Sequence, residues 1–299
     1  MNIATAARVA VVIVNYRSYP ELHDCLASLG PPGPESQAIV VDHLSDPSAA
    51  DQVAARFPHL ELLRVEGNEG FAAGVNRGAR IARSPYLLLL NPDSVADPGT
   101  CASLADWMDA HPEVGAAGPR IRNSDGSTQP SARTFPDITT GIAGRSSWLT
   151  RVFPGNPLSR RNLSATSRPG TSAIPVDWVS GACMIIRRSA FDAVGGMDEG
   201  FFLYWEDADF CRRLTQAGWG VVYNPAVSMT HTGARSSRHA ADASLVAFHD
   251  SAYRLFSKHA STPALALRPL VYLALRARLA FMRRLVRVRK QQGVPKQQG

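Results

Sequence analysis

Six consecutive apolar residues near the N-terminus, Val9-Ala10-Val11-Val12-Ile13-Val14, constrain the fold more than any other stretch. A β-branched run without polar alternation reads as a strand buried on both faces, and such strands belong to parallel sheets covered by helices. The pattern repeats at the spacing that reading demands. Pro20 opens a helix through about residue 29, with Leu22, Cys25, Leu26 and Leu29 on one face. Residues 38–42, 60–65, 86–90 and 114–119 read as further strands, and 48–57, 71–82 and 98–110 as the intervening helices. Strand–helix alternation of this kind predicts an α/β fold with a mostly parallel, Rossmann-like sheet flanked by helices.

The periodicity fades over residues 123–173, a stretch rich in Ser, Thr, Pro, Gly and Arg that reads as a long basic loop. Order returns with a strand over 176–186, a helix from Ser189, a Gly195-Gly196 turn, a helix over 207–217 and a strand over 220–223. The chain thus divides into segments 1–122, 123–175, 176–260 and a C-terminal tail, 261–299.

Composition excludes several classes. The four cysteines, Cys25, Cys101, Cys183 and Cys211, are scattered without a C-x-x-C pair, which argues for reduced cytosolic thiols over disulfides or structural zinc. The first apolar run lacks the features of a signal peptide, and no run is long enough to span a bilayer. The net charge of +7 is a property of the tail: residues 251–299 hold eleven Lys or Arg and no acid, and the first 250 residues are net −4. Nucleic acid is therefore a poor partner.

Ligands of parallel α/β sheets bind beyond the carboxyl ends of the strands, and the polar clusters fall there. Asn15-Tyr16-Arg17 follows the first strand, Asp42-His43-Leu44-Ser45-Asp46 the second and Asn91-Pro92-Asp93 the fourth. Asp93 suits Mg²⁺ or Mn²⁺ held by one carboxylate plus substrate phosphates, or equally an Asx turn or helix cap. Asn68-Glu69-Gly70-Phe71-Ala72-Ala73-Gly74-Val75-Asn76-Arg77-Gly78 brings glycines to a helix N-terminus, which fits close approach to an anion or tight helix packing. In Tyr204-Trp205-Glu206-Asp207-Ala208-Asp209, three acids lie within four residues at a helix start, where capping or a proton relay would use them. Arg212 is placed to pair with one of them. His231, after a strand and short loop, is either structural or a ligand.

These motifs, with D-W-V-S-G-A-C-M-I-I-R-R and G-G-M-D-E-G-F-F-L-Y-W-E-D-A-D-F-C-R-R, resemble in order and spacing glycosyltransferase family 2, the inverting enzymes of the GT-A fold, over residues 8–260. The similarity is greatest to the rhamnosyltransferase-like branch that builds cell-wall and surface polysaccharides. The resemblance implies a nucleotide-sugar-binding half in 1–122 and an acceptor and catalytic half in 176–260. It implies donor contacts from Asn15, Tyr16, Asp42, Asn68, Gly70, Asn76, Asn91 and Asp93, and a general base in Asp207. It places Trp178, Gly181, Asp198, Trp205 and Glu206 on the acceptor side. It puts a divalent cation, Mg²⁺ or Mn²⁺, on Asp93 and His231. Asn91 stands where the family's D-x-D motif has its first acid. The implied partners are dTDP-rhamnose or a UDP-hexose and a glycan or polyprenyl-pyrophosphate-linked acceptor. A nucleotidyltransferase and a non-catalytic sugar-nucleotide binder are the rival readings.

The tail reads as an amphipathic helix over 269–290, with Val271, Leu275, Leu279, Met282 and Val286 as its apolar stripe and Arg276, Arg283 and Arg287 alongside. Such a helix fits an anionic membrane surface, an oligomer contact, or packing against its own domain.

Overall fold

The computed structural model describes residues 7–31, 36–135, 170–233 and 241–291. The first half follows the expected alternation: β1 (Val9–Tyr16), α1 (Tyr19–Ser28), β2 (Ser36–His43), α2 (Pro47–Arg56), β3 (Glu61–Val65), α3 (Phe71–Ile81), β4 (Tyr86–Leu90), β5 (Ser94–Ala96), α4 (Thr100–Asp109) and β6 (Val114–Arg122). The second half holds β7 (Ala132–Arg133), β8 (Ile174–Pro175), β9 (Trp178–Val179), β10 (Cys183–Arg187), α5 (Arg188–Ala193), α6 (Glu206–Gln216), β11 (Gly220–His231), α7 (Ala241–His259), α8 (Thr262–Leu265) and α9 (Arg268–Gln291).

The main sheet runs β3-β2-β1-β4-β10-β6-β11-β5, with β8 also on β11. The β1, β2, β3 and β4 strands pair in parallel, as do β6 and β11, while β10 runs antiparallel between β4 and β6. The sheet is therefore mixed at its centre. The run read as one strand over 176–186 is broken: β9 leaves the main sheet to pair with β7, and a turn closed by Cys183 N–H to Ser180 C=O, 3.3 Å, redirects the chain into β10. Only the ends of the expected long loop are described, and they are mostly irregular chain with the two-residue strands β7 and β8; residues 136–169 lie outside the described residues. The strand expected to stop at Tyr223 continues to His231 through a register shift between Asn224 and Ser228, where Pro225 supplies no N–H for the ladder.

Burial follows from the apolar runs. Residues 9–13 and 86–90 are all at or below 3% exposure, because both sheet faces are covered. One face packs under α3, α5 and α6, the other under α1, α2 and α4. Gly74 and Gly78 permit the close seating of α3: a Cβ at Gly78 would lie 2.5 Å from Val12 Cγ1, and one at Gly74 2.7 Å from Val14 Cγ1. This is the packing alternative raised by their spacing.

All four cysteines are free thiols. The pairing expected of Arg212 belongs instead to Arg213, whose Nε donates to Asp209 Oδ2 at 2.8 Å one helical turn back. Arg212 lies over the Phe135 ring.

Candidate active site

The strand order turns outward in both directions from β1 and β4, and the crevice at their carboxyl ends is where such folds bind ligands. Asn15, fully buried at the end of β1, donates through Nδ2 to Asp42 Oδ1 at 2.7 Å. Tyr19 donates its hydroxyl to Asp42 Oδ2 at 2.8 Å and accepts from the Asp46 N–H at 2.7 Å. Asp42 is thus fully buried, with both oxygens engaged by protein. Tyr16 is half-buried, and the Arg17 guanidinium lies 5.7 Å from its ring. Neither Tyr19 nor its bond to Asp42 was legible in the sequence.

The β4 carboxyl end carries the second group. Asp93, 5% exposed, has Oδ1 3.0 Å from His231 Nε2, and its backbone C=O accepts from the N–H and hydroxyl of Thr232, each at 3.0 Å. Gln129 determines which imidazole nitrogen is protonated. Its Nε2 donates to the His231 backbone C=O at 2.8 Å, so its Oε1 faces His231 Nδ1 at 3.0 Å, and Nδ1 must carry the hydrogen. On the neutral ring, Nε2 then presents a lone pair to the Asp93 carboxylate, with Asn91 Nδ2 3.4 Å away. Two electron-rich atoms at that distance call for a positive charge between them, a proton or a cation. The outer hydrogen bond from Gln129 is the kind that orients a metal-binding histidine. Among the described residues no three His, Cys, Asp or Glu side chains converge on one metal position. The donors therefore fit a divalent cation that takes its other ligands from phosphate and water. Gln129 lies within the stretch read as loop and carried no sequence signal.

The third group comes from α6. Asp207 Oδ2 accepts the Gly181 N–H at 3.1 Å and its Oδ1 the Ala208 N–H at 2.8 Å. One residue on, the Ala182 C=O accepts the Asn91 N–H at 3.0 Å. The 181–182 segment thereby links Asp207 to the β4 end through two consecutive residues. A Cβ at Gly181 would meet the Phe71 ring at 3.3 Å and Asp207 Cβ at 3.7 Å, so only glycine fits here without displacement. Burial raises the Asp207 carboxyl above its ordinary value, against the two N–H groups and the Arg133 charge that lower it. Neighbouring Glu206 is buried, with Oε2 unpartnered, and burial and the Asp207 charge push its carboxyl well above the usual range. The helix start thus sets two buried carboxyls side by side, both raised by burial. Trp178 donates Nε1 to Thr134 C=O at 3.1 Å, and its ring centroid lies 6.3 Å from that of Trp205, whose Nε1 is buried without a partner.

Backbone strain marks the same region. The non-glycine residues with positive φ among those described are Arg17 and Leu44, which follow β1 and β2, and Tyr204 and Trp205, which precede α6. Each costs on the order of 1–3 kcal/mol and persists where surroundings enforce it. The Phe248 ring of α7 provides that enforcement, 5.8 Å from Tyr204 and 5.4 Å from Trp205.

Several expected donor contacts form the scaffold of this loop. Asn68 Oδ1 accepts the Gly70 N–H at 3.1 Å and lies 3.2 Å from His43 Nδ1. Gly70, at φ 90°, abuts the Phe202 backbone, and the Phe71 N–H that an anion would use donates to Phe202 C=O at 2.8 Å. Asn76 donates to Met197 C=O and Glu199 Oε1, both at 2.9 Å, and accepts the Met197 N–H at 2.9 Å. Asp198, expected on the acceptor wall, binds Arg254 at 2.8 Å and Lys258 at 2.7 Å. The structure thus joins Asn15 to Asp42, sets Asn91, Asp93 and His231 together, and links Asp207 through Gly181 and Ala182 to Asn91, while Asn68, Gly70, Asn76 and Asp198 bond within the protein.

The sequence profile of Glycosyl transferase family 2 matches residues 10–195. The chain is 36% identical over 255 residues to the Mycobacterium tuberculosis N-acetylglucosaminyl-diphospho-decaprenol L-rhamnosyltransferase, covering 81% of this chain and 82% of that protein. It is 26% identical to the Escherichia coli K12 rhamnosyltransferase WbbL, covering 77% and 85% of the two. The fold is similar to that of the Pyrobaculum calidifontis mannosyltransferase PcManGT, solved with GDP-Man and Mn²⁺, at a TM-score of 0.56, 18% identity, and 92% and 70% coverage.

Proposed function

Since the chain belongs to glycosyltransferase family 2 and is a glycosyltransferase, we propose that it moves rhamnose, with inversion, from dTDP-rhamnose to a polyprenyl-diphosphate-linked N-acetylglucosaminyl acceptor. The observation that carries the mechanism is the bridge from Asp207 through Gly181 and Ala182 to Asn91, which supports a reading in which the Asp207 carboxyl and the Asp93–His231 pair serve one site. The mycobacterial relative supports the choice of sugar and acceptor, ahead of a UDP-hexose donor.

In this reading Asp93 and His231 hold a divalent cation, Mg²⁺ or Mn²⁺, together with the donor diphosphate; the mannosyltransferase solved with Mn²⁺ supports this. That cation would offset the charge gathering on the departing nucleoside diphosphate. Asp207 accepts the proton of the acceptor hydroxyl as its oxygen attacks the face opposite the leaving group. Glu206, buried beside that base with its carboxyl raised by burial, adds to the low-dielectric surroundings that raise Asp207, and Trp178 and Trp205 give the acceptor sugar an apolar wall. One positioned base and one displacement invert the anomeric centre. The same reading sets the enzyme at the cytoplasmic face of the cell membrane, where a polyprenyl acceptor is anchored.

The test is to present nucleotide sugars, with Mn²⁺ or Mg²⁺, together with polyprenyl-diphospho-N-acetylglucosamine, and to identify the nucleotide released. Free dTDP with a rhamnosylated lipid is expected. Pyrophosphate release would identify a nucleotidyltransferase, and donor binding without turnover a non-catalytic binder.

A further inference from the structure

Of the alternatives open to the C-terminal helix, its expected stripe takes packing against its own domain, which leaves a second apolar face exposed. The stripe expected to meet a membrane, Val271, Leu275, Leu279, Met282 and Val286, is partly or fully buried, Leu279 to 5% exposure, and α9 packs on α7. Polar contacts flank that seam: Arg278 Nη1 lies 2.9 Å from His249 Nε2, Arg276 pairs with Asp250 at 2.9 Å, and Arg283 with Asp242 at 2.6 Å. The apolar stripe legible in the sequence is thus the domain-packing one.

On the opposite side of α9, Leu270, Leu273 and Phe281 are 64%, 62% and 60% exposed, with Ala274, Ala277 and Ala280 exposed between them. Their spacing of three, four and seven residues puts them on one face. Of the six large hydrophobic residues exposed among those described, five lie in α9 or in Leu267 just before it. Arg276 and Arg283 edge this face on one side and Arg278 on the other, with Arg284 at its C-terminal end. Arg276, Arg283 and Arg278 are held by Asp250, Asp242 and His249, so the face itself is apolar, with the exposed Arg284 at its end; such a face suits the headgroup–acyl boundary, where an arginine stem lies along apolar surface and its head reaches phosphate. Eleven basic residues and no acid after residue 250 give the charge complementarity to anionic lipid. No described helix is long and apolar enough to cross a membrane, so α9 would lie along the surface.

We propose that the outward face of α9, centred on Leu270, Leu273 and Phe281, is the surface by which this enzyme docks on an anionic bilayer. The inference gives the membrane reading above a specific surface and rests on it only for the presence of a bilayer. It also links docking to the cleft. The Arg278 guanidinium lies 5.7 Å from the Phe248 ring, and that ring backs Trp205 and Tyr204 in the strained loop before α6. A docked α9 therefore sits one helix away from the acceptor side.

The test is flotation of the protein with vesicles of phosphatidylcholine alone or with about 30 mol% phosphatidylglycerol to supply an anionic surface. The variants are Leu270→Glu/Leu273→Glu/Phe281→Glu and the single Phe281→Ser, with melting curves and sedimentation alongside. Wild type should float with the anionic vesicles and less with neutral ones. The triple variant should lose roughly tenfold or more in partitioning and Phe281→Ser a smaller part, with melting unchanged in the single variant. Wild-type flotation that neither variant reduces would overturn this face while leaving membrane association standing. No wild-type flotation would overturn both. A wild-type dimer that the variants dissociate, without flotation, would make the face a contact between copies. Release of dTDP from a soluble acceptor analogue, measured separately, reports on the transfer reading alone.

Discussion

At the level of single residues, the mechanism depends on a carboxylate whose surroundings make it a stronger base than a free aspartate. Asp207→Asn keeps an acceptor for the Gly181 N–H but cannot take a proton, so turnover should fall by roughly 10²–10⁴ with donor binding retained. Steady-state kinetics with calorimetric donor titration checks both. Because burial raises the Asp207 carboxyl, the acid limb of kcat/KM should lie above the ordinary carboxylate range. Activity then falls as pH drops through that raised value. Gln129→Ala frees His231 Nδ1 from its acceptor, and Mn²⁺ binding followed by electron paramagnetic resonance should weaken by roughly 10–100-fold. Asp93, Asp207 and His231 were legible as candidates because each lies beside a strand or helix end with a recognisable motif. Gln129 and Tyr19 were not, since each acts through a partner 102 or 23 residues away, a separation that sequence periodicity does not encode.

Elements read best where one local rule decided them. The buried β1 and β4 runs and the α3 glycines behaved as their composition demanded, and Gly78→Ala should cost about 1–3 kcal/mol by overpacking against Val12, visible as a lower melting temperature. The broken strand around Gly181 and the extension of β11 to His231 depend on pairing with distant strands, so the local pattern did not reveal them. The link between α6 and α7 was equally hidden. Asp209, fully buried, binds Arg213, His259 and Lys258, while Asp198 binds Lys258 and Arg254. Burial opposes both carboxylates, yet Lys258, the Gly200 N–H and Arg254 draw Asp198 down to about 2, and Lys258, Arg213 and His259 hold Asp209 below its ordinary value. A folded pKa below the unfolded one contributes stability above about pH 4, which is lost as pH falls through the folded value. Melting temperature should therefore drop steeply in the acid range, and Asp198→Asn should start lower and drop less.

For the whole molecule, the α/β alternation foretold a mostly parallel sheet flanked by helices, and the family profile and the fold comparison agree with it. The antiparallel β10 in the middle of the sheet was not foretold. The Gly181-Ala182 turn that leads into it links Asp207 of α6 to the β4 end. The C-terminal helices complete the arrangement by bracing the loop that presents Asp207. The proposed function assigns one base and one displacement to the reaction. The anomeric configuration of the glycosidic bond in the product, read by nuclear magnetic resonance, tests that assignment most directly. Inversion relative to the donor, formed by wild type and lost in Asp207→Asn, is the predicted result; retention, or undiminished product from the variant, would contradict it.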